Sequence, residues 1–283
     1  MPASHSKEPD PARAEAVATN DCILRCVVGS TVHGLSNPGT DDRDEMGVCV
    51  EPREYVLGLR SFEHWVSRTQ PEGVPSGPGD LDLTIYGLRK YCRLALKGSP
   101  TVLLLLFIDD EHVLQRTPLG SELQALAPVF ISKRTGRAFL GYLDAQRRGL
   151  LGDRHATRTR ELADEHGYDT KYAMHALRIA HQGRELLSTG QITLPIPQPA
   201  REHLMEVRRG DLPLAEVLER LHTQTAQLER AVLESELPDK PDRDTIDGFL
   251  SDAYQRVWAA DQMMHRAGQL LPDDDVSTPR SAA

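Results

Sequence analysis

Apolar positions form short runs in the first third of the chain and fall at helical spacing after it. Ile23 to Val28, within DCILRCVVGS, is a mostly apolar run that stops at Gly-Ser and reads as a buried strand. Met46 to Val50 reads as a second strand, closed by Pro52. Between them lie a Gly-Ser pair, room for a short helix, and an acidic loop. A Pro- and Gly-rich stretch, QPEGVPSGPGD, follows as a loop. LDLTIYG then alternates like a strand with one face buried. In YGLRKYCRLALKG, Leu88, Cys92, Ala95 and Leu96 recur at helical spacing, and Gly98 suits the helix end. TVLLLLFID is apolar throughout and fits either a buried strand or a helix. From about residue 111 the pattern is helical: Phe139, Tyr142, Leu143 and Gln146 define one helix, and Tyr172, Ala173, Ala176, Leu177, Ala180 and Leu187 a second. Leu214, Val217, Leu218, Leu221 and Leu228 mark a third, and Ile246, Phe249, Leu250, Tyr254, Val257 and Trp258 a fourth. QITLPIP separates the second from the third, where Pro195 and Pro197 exclude helix. No internal repeat is present. The expected organisation is a small α/β domain over 21–110 and a helical domain over 111–270, with disordered polar tails at 1–20 and 271–283.

The chain's 283 residues, 39% hydrophobic and 27% charged, are those of a soluble globular protein with a sizeable core. The longest apolar run, Val102 to Ile108, has seven residues, far short of a membrane span, and the N-terminus lacks the apolar core of a signal peptide. Cys22, Cys26, Cys49 and Cys92 sit in apolar segments without CxxC spacing, as buried thiols of a cytoplasmic protein would. A net charge of −9 argues against indiscriminate nucleic-acid binding. Residues 131–160 depart from it, with Lys133, Arg134, Arg137, Arg147, Arg148, Arg154, Arg158 and Arg160 against Asp144 and Asp153, an excess of six that could face RNA or could be a solvated helix face. Nothing in the patterning speaks to oligomeric state.

Candidate chemistry concentrates in GSTVHGLSNPGTDDRDEMG, residues 29–47. Turn formers dominate loops for conformational reasons alone. Here, however, the stretch joins two predicted strands and contains Asp42-x-Asp44. Alternate residues of a strand share a face, so these two carboxylates can hold one metal site, and Asp82 of LDLTIYG is the best third ligand, with Asp80 the runner-up. Asp41 and Glu45 have the wrong parity and read as bystanders; Arg43 should point away. Gly29 lets the backbone approach a phosphate closely, Ser30 adds a hydroxyl, and a following helix start offers free N–H groups. Metal carboxylates opposite a phosphate cradle are what phosphoryl and nucleotidyl transfer need. Lys171, His175 and Arg178 fall on one face of a predicted helix, at i, i+4 and i+7, and could reach the triphosphate or form an ordinary polar face. His33 either shapes the turn after Gly-Ser or caps a helix facing solvent. His155, His166 and His181 read as surface, and Tyr86 and Tyr91 as core or helix-face packing.

An apolar strand, GS, about a dozen residues, D-x-D and a second strand resemble the DNA polymerase beta superfamily of nucleotidyltransferases. The fuller string GSTVHGLSNPGTDDRDEMGV is similar to one branch, the RNA repair pathway DNA polymerase beta family (RlaP-like). LDLTIYGLRKYCRLALKGSPTVLLLLF resembles that branch's D-x-x-x-Y-x-L-K segment, and KYAMHALRIAHQGRELLSTGQITLP its Lys-x-x-x-His-x-x-Arg helix with the Glu-Leu-Leu-x-x-Gly-x-Ile that follows. The match runs over roughly residues 23–210. It implies an α+β fold, a small mixed-sheet nucleotidyltransferase domain followed by a helical domain. It also implies Mg2+ or Mn2+ on Asp42, Asp44 and Asp82, with Asp82 helping to deprotonate the acceptor. The triphosphate of ATP or another NTP would lie on Gly29 and Ser30, with Lys171, His175 and Arg178 near it. The chain departs from the branch at Ser99, where Asn is usual, and at Leu104, where Glu is usual, which leaves the acceptor open. An RNA or tRNA 3′ end is one reading; a toxin-type or protein-modifying NMP transferase and an inactive nucleotide-binding regulator are the alternatives.

Overall fold

The computed structural model describes residues 10–37, 39–71, 74, 76–151 and 160–269. Five strands form one mixed sheet: β1 (Cys22–Val27), β2 (Arg43–Cys49), β3 (His64–Arg68), β4 (Leu81–Gly87) and β5 (Val113–Arg116), in the spatial order β3-β4-β2-β1-β5. β2 and β4 are parallel, and the other neighbours are antiparallel. The longer helices and the one in the Gly-Ser turn are α1 (Pro11–Asn20), α2 (Gly29–Val32), α3 (Leu88–Leu96), α4 (Lys133–Leu151), α5 (Thr170–Thr189), α6 (Ala200–Arg209), α7 (Leu214–Glu234) and α8 (Arg243–Gln269). The fold is α+β, and the four helices read from periodicity lie within α4, α5, α7 and α8.

Several elements depart from the sequence reading. Residues 11–20 are not a disordered tail. They form α1, whose Ala14, Val17 and Ala18 are buried with Tyr55, Phe62, Leu83 and Ile85 on one face of the sheet. The i, i+3, i+4 spacing of three small apolar residues is real but weak among so many polar neighbours. β5 pairs with β1, so the sheet extends beyond residue 110. β3 is an edge strand that buries little on either face, and most of β5 is exposed, so neither carries a hydrophobic signature. TVLLLLFID is neither strand nor long helix: Pro100–Leu103 is one α-turn that passes into a 3-10 turn over Leu104–Phe107. Residues 1–9 and 270–283, with Arg154, His155 and Arg158, lie outside the described residues.

The main core fills the other sheet face and continues through α4, α5 and α7. Long-range polar contacts fix the end of β2 to α8. Glu51 is buried and accepts from Leu88 N (3.0 Å) and the Tyr254 hydroxyl (2.6 Å), and its carbonyl accepts from Trp258 Nε1 (2.9 Å). Burial pushes the Glu51 carboxyl above its ordinary value. Hydrogen bonds to a charged group contribute about 1.5–3 kcal/mol each, so this cluster holds β2 and the start of α3 in fixed relation. Among the described residues no helix is long and apolar enough to cross a membrane.

Candidate active site

The site begins where β1 turns into α2. Gly29 has φ +67°, a left-handed conformation that favours glycine, and a Cβ there would lie 2.0 Å from Asp44 Oδ2. Val28 N donates to Asp44 O at 2.9 Å, so the Gly29 turn and the start of β2 press against each other. Gly29→Ala is expected to cost about 1 kcal/mol or more from backbone strain alone. It should also displace the Asp44 carboxylate, so the Mn2+ affinity measured by electron paramagnetic resonance should fall at least tenfold. An unchanged affinity would show that Asp44 has room to move.

The parallel register places Asp44 directly opposite Asp82, and carboxylate oxygens of Asp42, Asp44 and Asp82 lie within 4.8 Å of one another. Burial first, then the charges of Asp42 and Asp82, push the Asp44 carboxyl up to about 6, although Lys171 opposes them. Among the described residues Asp82 Oδ1 is buried without a hydrogen bond, with Arg68 Nε at 3.5 Å. Three crowded carboxylates, one with an orphaned oxygen, are a donor set that fits a hard divalent cation such as Mg2+ or Mn2+. Asp80 is not in this cluster: it accepts from Gly77 N (2.8 Å) and Thr69 Oγ1 (3.0 Å) and closes the loop before β4. Glu45 is outside the cluster and pairs with Arg25 and Arg43.

The cluster opens onto a cleft of about 380 Å³ whose other wall is α5. Asp169 starts that helix, accepting from Tyr172 N at 2.9 Å. Lys171, His175 and Arg178 all line the cleft, together with Gly29, Ser30, Asp42, Asp44 and Asp82. Arg178 is half-buried; its Nη2 donates to His175 Nδ1 at 2.8 Å, and its Nη1 contacts His33 Nε2 and donates to Gln182 Oε1 (3.4 Å). A guanidinium has only donors, so both imidazoles accept from it and are neutral. Burial, then the charge of Arg178, lowers the His33 pKa well below its ordinary value and that of His175 to about 3. Since Nδ1 of His175 accepts, its proton sits on Nε2, a buried donor without a protein partner on a side chain lining the cleft. No carboxylate forms an ion pair with Arg178 among the described residues. Burial lowers its pKa to about 10.

A family model described as "RlaP: RNA repair pathway DNA polymerase beta family" matches residues 8–252. The chain belongs to this family. It is thus a member of a polymerase beta-like nucleotidyltransferase family. No curated protein matches the sequence. Among solved structures, one described as a nucleotidyltransferase-like protein from Exiguobacterium sibiricum 255-15 is similar at 13% identity and a TM-score of 0.30, over 78% of this chain and 71% of that one.

Further residues reach the cleft or its walls. His33 is the C-cap residue of α2 but does not face solvent: it is 1% exposed and its ring packs on Arg178 and Gln182. Asp41 is no bystander, since it accepts from Ser30 Oγ at 2.9 Å. Arg68 and Arg208 come from β3 and α6, whose sequences give no warning of a site. Tyr91 is core, but Tyr86 is half-buried and lines the cleft with Thr84, Pro100, Thr101 and Leu104. His181 is partly buried rather than on the surface. Within the basic segment, Arg147 and Arg148 pair with Asp144 on α4, and none of Lys133, Arg134, Arg137, Arg147 or Arg148 lines the cleft.

Proposed function

We propose that the protein transfers a nucleoside monophosphate from an NTP to an acceptor hydroxyl and releases pyrophosphate, using Mg2+ or Mn2+. One observation carries this reading: a cluster of three carboxylates and a half-buried guanidinium that forms no carboxylate ion pair among the described residues share one cleft. The carboxylates call for cations and the guanidinium for an anion, and a metal-bound triphosphate satisfies both.

Asp42, Asp44 and Asp82 would hold the cations. When bound, these would neutralise the phosphate oxygens and lower the pKa of the acceptor hydroxyl. Gly29, with no side chain, lets the turn pack directly against Asp44 and would offer its backbone to the triphosphate. Lys171 and Arg178 offset the negative charge that gathers on the leaving pyrophosphate, and the His175 Nε2–H donates to a phosphate oxygen. The acceptor oxygen forms a bond to the α-phosphorus as the bond to the β-phosphate bridging oxygen breaks, and the acceptor proton passes to the carboxylate of Asp82. The apolar end of the cleft, with Tyr86, Pro100 and Leu104, suits a base or another flat ring. An RNA or tRNA 3′ end is the acceptor that the family's name favours, approached by the basic 131–160 segment. A protein side chain is the alternative.

Incubating the protein with each α-labelled NTP, Mn2+ or Mg2+, and total RNA or cell lysate tests the reading. Label on RNA supports RNA nucleotidyl transfer, and label on protein supports the alternative. No transfer from any of the four NTPs, under conditions where the protein binds them, would make it a nucleotide-binding regulator instead.

A further inference from the structure

Asp41 and Arg208 form a buried ion pair at the rim of the cleft, with side chains only 6% and 11% exposed. Arg208 comes from α6, 167 residues along the chain, and Nη2 contacts both carboxylate oxygens, reaching Oδ2 at 2.6 Å. Its other nitrogen, Nη1, donates to Leu35 O at 2.5 Å. One guanidinium therefore grips the segment between α2 and β2 at two points. The carboxylate is filled further by Asn37 N (2.9 Å) and Ser30 Oγ (2.9 Å), while Asp41 N returns a bond to Asn37 O (2.9 Å). Gly34, at φ +69°, lets the same segment approach Pro195 and Arg201, where a Cβ would come within 3.0 and 3.1 Å. The next residue after Asp41 is a ligand of the carboxylate cluster, and the residue before Ser30 is the glycine that packs on Asp44.

A carboxylate paired with a guanidinium can only accept, so Ser30 must donate its single hydroxyl proton to Asp41. That proton is then not available to a phosphate oxygen. Ser30 acts as a strut between the Gly29 turn and Asp41, and donors toward the triphosphate come from elsewhere in the cleft. We propose that Asp41 and Arg208 are positioning residues for nucleotide capture: as a clamp they hold the Gly29–Asp42 segment against α6 and so fix the width of the cleft between the sheet and the helices. The proposal rests on the nucleotide-binding reading above. A buried ion pair whose guanidinium also holds the Leu35 carbonyl has the rigidity for this role, because neither partner can exchange for water without leaving a charge unpaired.

The test uses the full chain with Asp41→Asn, Arg208→Lys and the double variant. Neither substitution preserves both the charge pair and the bond to Leu35 O, and both retain most of the volume. Each variant is titrated with mant-ATP in Mg2+ by fluorescence, and separately with Mn2+ alone by electron paramagnetic resonance. Each single variant is expected to weaken mant-ATP binding at least tenfold with Mn2+ affinity kept within about threefold, and the double variant should be no worse than the poorer single. General destabilisation would lower both affinities together and would overturn the assignment. Multiplying losses in the double variant would also overturn it, because independent residues do not form a clamp. Wild-type mant-ATP affinity in Asp41→Asn would overturn the clamp and leave the nucleotidyltransferase reading standing. If the wild type binds no mant-ATP, that reading fails, and hydrogen exchange at the Asn37 and Asp41 amides decides the clamp. Faster exchange in both single variants then supports it, and unchanged exchange overturns it.

Discussion

Asp44→Asn should abolish nucleotidyl transfer, by at least about 10³-fold, while making the metal-free protein more stable. The loss of activity follows from the register: Asp44 sits opposite Asp82 and within reach of Asp42, so it joins both strands' ligands in one cluster. Oxyanion stabilisation by a single group is worth about 10²–10³ in rate, and a ligand shared by the whole cluster should exceed that. The gain in stability follows from the same geometry. Two unit charges about 4 Å apart repel by roughly 4 kcal/mol at the effective dielectric near a protein surface. Lys171 offsets part of this for Asp44, so a net gain of about 1–2 kcal/mol is expected on neutralising it. Scanning calorimetry in EDTA should show Asp44→Asn melting above the wild type. In Mn2+ at about 100 times its dissociation constant the wild type should gain about 2.7 kcal/mol and the order should reverse. A wild type that gains nothing from Mn2+, and a variant that melts no higher in EDTA, would together remove the metal site from the account. Asp42→Ala should match the loss of activity and show a smaller gain, because Asp44 is the carboxyl that burial and both neighbours disfavour as a charge.

The carboxylate cluster was readable because its signals are local. A D-x-D at a strand start fixes parity by backbone geometry alone, and the choice of Asp82 over Asp80 required only that LDLTIYG be a strand beside β2. The face of α5 was likewise readable from i, i+4, i+7 spacing. His33, Asp41 and Arg208 were not, because their roles depend on contacts 145–173 residues apart in the chain. Parity set Asp41 apart from the Asp42, Asp44 and Asp82 carboxylates but says nothing about an arginine arriving from α6. The sheet was legible where strands are buried, in β1, β2 and β4. It was lost at β3 and β5, whose exposed faces leave no period-two pattern, and at α1, where three small residues carry the whole apolar face.

Arg178→Met is expected to lower kcat/KM for NTP by about 10²–10³-fold, mainly through KM, with little change in the stability of the ligand-free protein. Taking a cation out of water costs several kcal/mol, and a protein normally offsets this with a buried carboxylate. Among the described residues Arg178 has two neutral imidazoles and an amide oxygen instead, which accept its protons, and the charge of Asp44 acts on it without an ion pair. Replacing such a cation by an apolar side chain of similar length relieves the desolvation cost while forfeiting hydrogen bonds of about 1.5–3 kcal/mol each. The two nearly cancel, so the melting temperature without nucleotide should stay within about 1 kcal/mol of the wild type. With NTP present the balance is different, because the anion supplies the missing charge and the arginine bonds become charge-assisted on both sides. The wild type should then be stabilised by nucleotide and Arg178→Met should not. Arg178→Lys separates charge from shape. An ammonium can face the triphosphate but cannot hold His33 and His175 at once, so it should retain nucleotide-induced stabilisation and lose about tenfold in kcat/KM. Equal behaviour of the Met and Lys variants would mean that Arg178 serves only to pack the two histidines, and the anion in the cleft would have to be held by Lys171 alone.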